Sequence, residues 1–345
     1  MLNGVQLARA VAAYAVVIYH IACELSYKAG FDAAPFIVGK GGVDLFFVIS
    51  GFIMVHITRA HETPTGFFIK RVFRIVPLYW LATTAVLVLV AIRPWLVQPA
   101  LVTPETLAAS YFFFPMFDNN MEARPILFLG WTLNYEMMFY ALFALALTVP
   151  RALRVPTVIT LMLAVMVLAP LIPHQAAALF YSQPIMLEFV AGCLIGAVLG
   201  TRQAATLFKR VPVWPVTLLG IAGFALAATQ SGALPRHLLY GIPAALVVFG
   251  LAAQDLYRTP LRASWLSRLG DASYSLYLLH ILVFTVLSLA WFPLLGTGPA
   301  AQAGYAATAL AAATVVSLLS YRLVERPSNT WLRQQWQRAT GPAAA

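Results

Sequence analysis

Val5–Leu25, VQLARAVAAYAVVIYHIACEL, decides the fold. Its charges are confined to Arg9 and Glu24, and almost everything between them is apolar. At about 1.5 Å of rise per residue the stretch makes a helix of roughly 31 Å, the thickness of a bilayer's hydrocarbon core. A retained span is expected, not a removed secretory signal: Arg9 lies inside the segment, and no small-residue cleavage site precedes a polar start.

Nine further apolar segments follow, roughly 42–58, 75–92, 125–148, 155–172, 180–199, 213–229, 237–253, 271–291 and 302–324. Segment 105–117, ETLAASYFFFPMF, is aromatic but short and reads as an interfacial or re-entrant piece of the longest external loop. Composition agrees: hydrophobic residues make up 61% and charged ones 10%, against about 45–50% and about 25% in soluble domains. A soluble surface has no polar cover for so much apolar side chain. The expected fold is therefore all-α, a polytopic integral membrane protein of about ten transmembrane helices. It is read as one transmembrane domain over 1–327 with a short cytoplasmic tail, 328–345. Cys23 and Cys193 both fall in apolar runs, which leaves no disulfide framework and no zinc-ligand spacing.

Sixteen of the 22 lysines and arginines fall in the loops after even-numbered spans or in the tail, while Lys28, Lys40, Arg93, Arg124 and Arg236 lie on the opposite side. By the positive-inside rule both termini are cytoplasmic. The net charge of +10 is spread over short loops that set topology, so no nucleic-acid groove is expected. Walker-type, GxGxxG, GxSxG and HExxH motifs are all missing from the sequence, which disfavours a nucleotide-driven pump, a helical metalloprotease and a metal cofactor.

Ionisable groups inside a span are costly and mark candidate sites. Arg9 and His20 are eleven residues apart; about 100° per residue brings both to one helix face, with an axial gap of ~16 Å. That stripe joins a cytoplasmic ligand to a deeper reaction centre, or else Arg9 snorkels and His20 bonds a neighbouring helix. Asp44, in GGVDLFFVISGF, begins near the depth of His20 and either raises the basicity of the imidazole or caps its own helix. Glu136, in GWTLNYEMMFY, is mid-membrane with Trp131, Asn134 and Tyr135 close by, and needs a cation or a hydrogen-bond donor. Glu188 is as deep, with poorer polar company. Lys70, Arg71 and Arg74 form a basic cluster suited to phosphates, to anionic lipid or to setting topology. ASYSLYLLH, with Tyr274 and Tyr277, ends in His280, which lines a cavity or bonds a neighbouring helix.

Taken together, Arg9 and His20 with ten intervening residues, GGVDLFFVISGFI (41–53), FFIKRVFRIVPLYW (67–80), WTLNYEMMFY (131–140) and SYSLYLLH (273–280) resemble the membrane-bound acyltransferase-3 family. The likeness runs from Leu2 to about Pro327 and is nearest to the exopolysaccharide-production acetyltransferases. It implies a ten-helix enzyme of the bacterial inner membrane. Such an enzyme moves an acyl group, usually acetyl, from cytoplasmic acyl-CoA (acetyl-CoA) to a sugar hydroxyl of a polysaccharide or lipid-linked oligosaccharide. His20 is then the catalytic base or carries a transient acyl group, and Glu136 or Asp44 orients it. Arg9, Lys70, Arg71 and Arg74 bind the donor; Trp131, Asn134, Tyr135, Tyr274, Tyr277 and His280 contact substrate. Membrane lipids are partners and nucleic acid is not. Two other classes fit the same spans: a lipid or oligosaccharide transporter with a proton relay, and a scaffold subunit of a polysaccharide-synthesis complex.

Overall fold

The structure, a computed structural model, describes residues 2–59, 61–93, 102–116, 125–171, 175–230, 234–258 and 265–340. Arg124 and Arg262 of the charge pattern, Phe117, Ile172 and the last five residues of the tail lie outside the described residues. Among the described residues every regular element is helical. The α-helices are α1 (Asn3–Ala29), α2 (Gly41–Ile57), α3 (Pro64–Ile92), α4 (Pro104–Tyr111), α5 (Gly130–Ala146), α6 (Arg151–Leu168), α7 (Gln175–Tyr181), α8 (Leu187–Leu199), α9 (Arg202–Phe208), α10 (Trp214–Ala227), α11 (Ile242–Tyr257), α12 (Trp265–Asp271), α13 (Ser273–Leu295), α14 (Pro299–Ser320) and α15 (Arg326–Thr340). A 3-10 turn, Ala34–Lys40, leads into α2, and π-helical turns precede α11 and α15.

Seven helices among the described residues are long and apolar enough to cross a bilayer, or up to eight if the pair Pro184–Leu199 and Arg202–Phe208, bent by 81°, counts as one. The chain is thus a multi-pass membrane protein. Each of the ten segments read from the sequence holds a helix, but α5, α8 and α10 fall short of the length test, with 17, 13 and 14 residues. Segment 105–117 holds the short α4, closed by a Thr103–Thr106 capping box. Tyr79 Oη and Trp80 Nε1 of α3 donate to the carbonyls of Ser110 and Tyr111 and pin it down. The tail is helical as α15, which packs on α3.

The described chain packs as two compact units, residues 1–57 with 187–321 and residues 58–186 with 322–345. In the first, α1 runs between two apolar clusters. Val5, Ala8 and Ala12 meet Leu45, Val48 and Ile49 of α2 and Val248 and Ala252 of α11. Ala13, Val17, Ile21 and Leu25 meet Leu276 and Phe284 of α13 and Tyr305, Ala309 and Ala313 of α14. The alanines let neighbouring backbones approach closely, as lipid-embedded packing favours. In the second unit, Phe67 of α3 packs on Tyr140 and Phe143 of α5.

Two glycines set the crossing of α2 and α8. A Cβ on Gly51 would stand 2.2 Å from the carbonyl oxygen of Phe189, and one on Gly192 would stand 2.2 Å from that of Val48. These are backbone atoms, so relief requires the helices to move apart. Gly51→Ala is expected to lower stability by about 1–3 kcal/mol, the usual cost of overpacking, seen as a lower unfolding midpoint in detergent. Gly298→Ala, whose Cβ would meet nothing within 4 Å, should leave that midpoint unchanged; equal midpoints for both variants contradict this account of the crossing.

Candidate active site

The polar stripe on α1 faces α13. Arg9 Nη2 donates to Ser273 Oγ at 2.9 Å and Nη1 to Gln6 Oε1 at 3.1 Å. Gln6 Nε2 in turn donates to Asp271 Oδ1 at 2.9 Å. Farther along, His20 Nδ1 lies 2.9 Å from His280 Nε2. The early residue of each helix meets the early residue of the other, and the late residue the late one, so α1 and α13 run parallel. Eleven residues on α1 rise ~16 Å and the seven from Ser273 to His280 rise ~10 Å. The length of the Arg9 side chain takes up the difference.

The proton positions in the imidazole pair follow from its partners. His280 Nδ1 lies 3.0 Å from the carbonyl oxygen of Leu276. A carbonyl only accepts, so this nitrogen carries hydrogen. In the neutral ring His280 Nε2 is then an acceptor, and His20 Nδ1 must be the donor. That leaves the lone pair of His20 on Nε2. His20 keeps some exposure, whereas His280 is 0% exposed and uses both nitrogens. A largely buried imidazole with residual exposure, a defined basic nitrogen and a buried partner is an arrangement suited to general-base chemistry.

Among the described residues the hydrogen bond donated by His20 Nδ1 is accepted by His280 Nε2 and not by a carboxylate. Of the two sequence readings of His280, the bond to a neighbouring helix is the one seen. Tyr277 is buried edge-on against Phe46, with its ring near His280, and Tyr274 is also buried.

Asp44 is elsewhere engaged. It lies in the first turn of α2, 0% exposed. Arg236 Nη2 and Nε donate to its two oxygens at 2.7 and 3.2 Å. Arg236 also donates to the carbonyl of Lys40 at 3.1 Å. Glu188, 2% exposed, lies beside Asp44, with neither carboxyl oxygen hydrogen-bonded to a described residue. One guanidinium thus serves two buried acids. The sequence reading counted Arg236 only as a loop charge; its place immediately before an apolar run, with two unpaired acids elsewhere in spans, is the signal that could have found it.

The remaining predicted residues belong to the second unit. Lys70 donates to Glu62 at 2.9 Å, so part of the cationic charge is answered. Arg71 is buried, its guanidinium over the Phe67 ring at 5.4 Å and its Nε without a hydrogen-bond partner among the described residues. Arg74, Tyr140 and Glu136 surround it closely enough to act on its charge. Tyr140 Oη donates to Glu136 one helical turn away, a pair visible in the i, i+4 spacing of EMMFY. Tyr135 is a packing residue, stacked on Phe180 and donating to its carbonyl at 2.6 Å. Trp131 meets Tyr135 edge-on, and Asn134 Oδ1 is buried with no hydrogen-bond donor among the described residues.

Comparison with known proteins adds chemistry to this geometry. A family described as an acyltransferase domain matches residues 2–322. The exopolysaccharide production protein ExoZ of Rhizobium meliloti (strain 1021) is 38% identical over 301 residues, covering 85% of this chain and 90% of that protein. The acyltransferase MdmB of Streptomyces mycarofaciens is 26% identical over 339 residues, covering 89% of this chain and 85% of its own. No solved structure matches.

The Asp44–Arg236 pair predicts a stability effect. Arg236→Gln should destabilise the protein by about 3 kcal/mol, the low end for a broken buried pair, because the Arg236 side chain is 34% exposed. Thermal unfolding in detergent reads this. The specific activity of the folded fraction should persist, and its complete loss would place Asp44 in the chemistry.

Proposed function

This chain belongs to the acyltransferase-3 family, and from that premise we propose that it moves an acyl group, acetyl in the first instance, from cytoplasmic acyl-CoA to a sugar hydroxyl. The acceptor class we infer is an exopolysaccharide or its lipid-linked oligosaccharide precursor; the similarity to a Rhizobium protein of exopolysaccharide production supports the polysaccharide part of that reading. The proposed setting is the bacterial inner membrane, with ten spans counting α5, the bent α8–α9 pair and α10, and with both termini in the cytoplasm.

One observation carries the reading: the Leu276–His280–His20 relay that leaves a lone pair on His20 Nε2. His20 Nε2 takes the proton of the acceptor hydroxyl as its oxygen attacks the thioester carbonyl. The C–S bond breaks, and the imidazolium returns its proton to the departing thiolate. Nδ1–H stays directed at His280 throughout, so the ring does not turn between the two transfers. His280 is a positioning residue. The donor's phosphates are assigned to the cations of the second unit, Lys70, Arg71 and Arg74; the buried Arg71 Nε has no hydrogen-bond partner among the described residues and suits an anion. Thioester acylation of an alcohol is favourable, so no nucleotide hydrolysis is needed.

His20→Ala should reduce transfer by about 10²–10⁴-fold, the usual contribution of a general base, with acetyl-CoA binding in nanodiscs unchanged. Normal turnover by that variant at matched expression would remove His20 from the chemistry. His280→Phe should lower kcat with KM for the donor retained. His280→Gln, whose amide oxygen still accepts from His20 Nδ1–H, should recover part of the loss; equal rates for the two variants would falsify the relay.

A further inference from the structure

The second unit holds a cavity of about 270 Å³ that the sequence reading did not anticipate. Its walls are Arg59, Lys70 of α3, and Arg333, Trp336 and Gln337 of α15. The last three stand at positions i, i+3 and i+4, one face of one helix. Arg333 Nε is steadied by Asn329 Oδ1 at 2.8 Å, one turn back on the same face. Arg74 and Glu62 lie close enough to act on the Arg333 charge. Glu62 is paired to Lys70, so cations outnumber carboxylates around the cavity. The indole Nε1–H of Trp336 is buried with no acceptor among the described residues, and Trp336 is one of the residues that line this positively charged cavity.

Cations in excess, an aromatic ring and an orphaned N–H donor together fit a phosphorylated nucleoside. The ring offers a face for a purine, and the guanidinium forks match phosphate oxygens. A hydrophobic ligand would leave the charges unpaired, and a bare inorganic anion would leave the indole unused. We propose that α15 is part of the donor site, with Arg59, Lys70, Arg333 and Trp336 holding the 3′-phosphorylated adenosine diphosphate end of coenzyme A. This deepens the acyl-CoA reading and rests on it. It assigns a role to a polar helix that follows the last span, on the side of the molecule where the sequence concentrates its cations.

The test is binding of coenzyme A, and separately of adenosine 3′,5′-bisphosphate, to the full chain in nanodiscs of zwitterionic lipid and in nanodiscs containing anionic lipid. Arg333→Gln and Trp336→Ala are compared with Arg338→Gln, a control on the same helix outside the cavity. In zwitterionic discs the first two variants should bind both ligands about tenfold more weakly, the scale of one lost charge-assisted contact, and Arg338→Gln should bind as wild type does. Adenosine 3′,5′-bisphosphate should displace coenzyme A from the wild type, and pantetheine should not; this holds as a test even if a variant fails to fold. Coenzyme A binding indifferent to the variants and to the bisphosphate overturns the site and leaves the donor reading standing. Absence of coenzyme A binding by folded wild type overturns both. Bisphosphate binding that is absent in zwitterionic discs, with the variants altering only anionic-lipid association, identifies the cavity as a lipid-headgroup site and overturns the proposal.

Discussion

Two polar contacts between α1 and α13, Arg9 to Ser273 and His20 to His280, organise the first unit. Hydrocarbon offers no partner to a guanidinium or an imidazole, so each must find one inside the protein or remain at an interface. Meeting both needs with one neighbouring helix fixes which helix that is, its direction and its register. The apolar clusters on either side of α1 then fill the space this register leaves. The same demand is met by Arg236 for Asp44, where one cation anchors the turn entering α2 to the π-helical turn before α11.

The polar groups fall into two kinds by what satisfies them. Asp44 and Arg236 saturate each other, which is a structural use. His20 is satisfied on one nitrogen only, and that asymmetry is the chemical opportunity. In the second unit, Arg71 Nε, Asn134 Oδ1 and Trp336 Nε1 are likewise left short of partners, whereas Tyr135 is fully engaged in packing.

Much of this was legible in the sequence. Apolar run lengths located the helices, and the 100° step put Arg9 and His20 on one face because helix geometry is local. Ser273 and His280 are seven residues apart and share a face by the same rule, but their partners lie 264 and 260 residues away. Periodicity on one helix says nothing of which helix it meets, so the sequence leaves open whether His20 meets a carboxylate or a neighbouring helix, and whether His280 lines a cavity or bonds a neighbour. Arg236 was hidden for a related reason: near a span end it reads as a topological charge until its reach toward Asp44 is seen. Hydropathy drew no attention to α15, because Trp331, Leu332 and Trp336 are scattered among polar residues. Helix length was overestimated where Ser or Pro breaks an apolar run, as at Ser182 and Pro184 inside the segment that holds α8.

Helices α8 and α10, with 13 and 14 residues, rise only ~20 Å each, about two-thirds of an ordinary hydrocarbon core. A bilayer surrounding them must thin, or headgroups and water must descend toward them. Lipid tail length therefore becomes a physical variable of this protein: short-tailed lipids match its flank, and long-tailed ones pay a deformation energy wherever it diffuses.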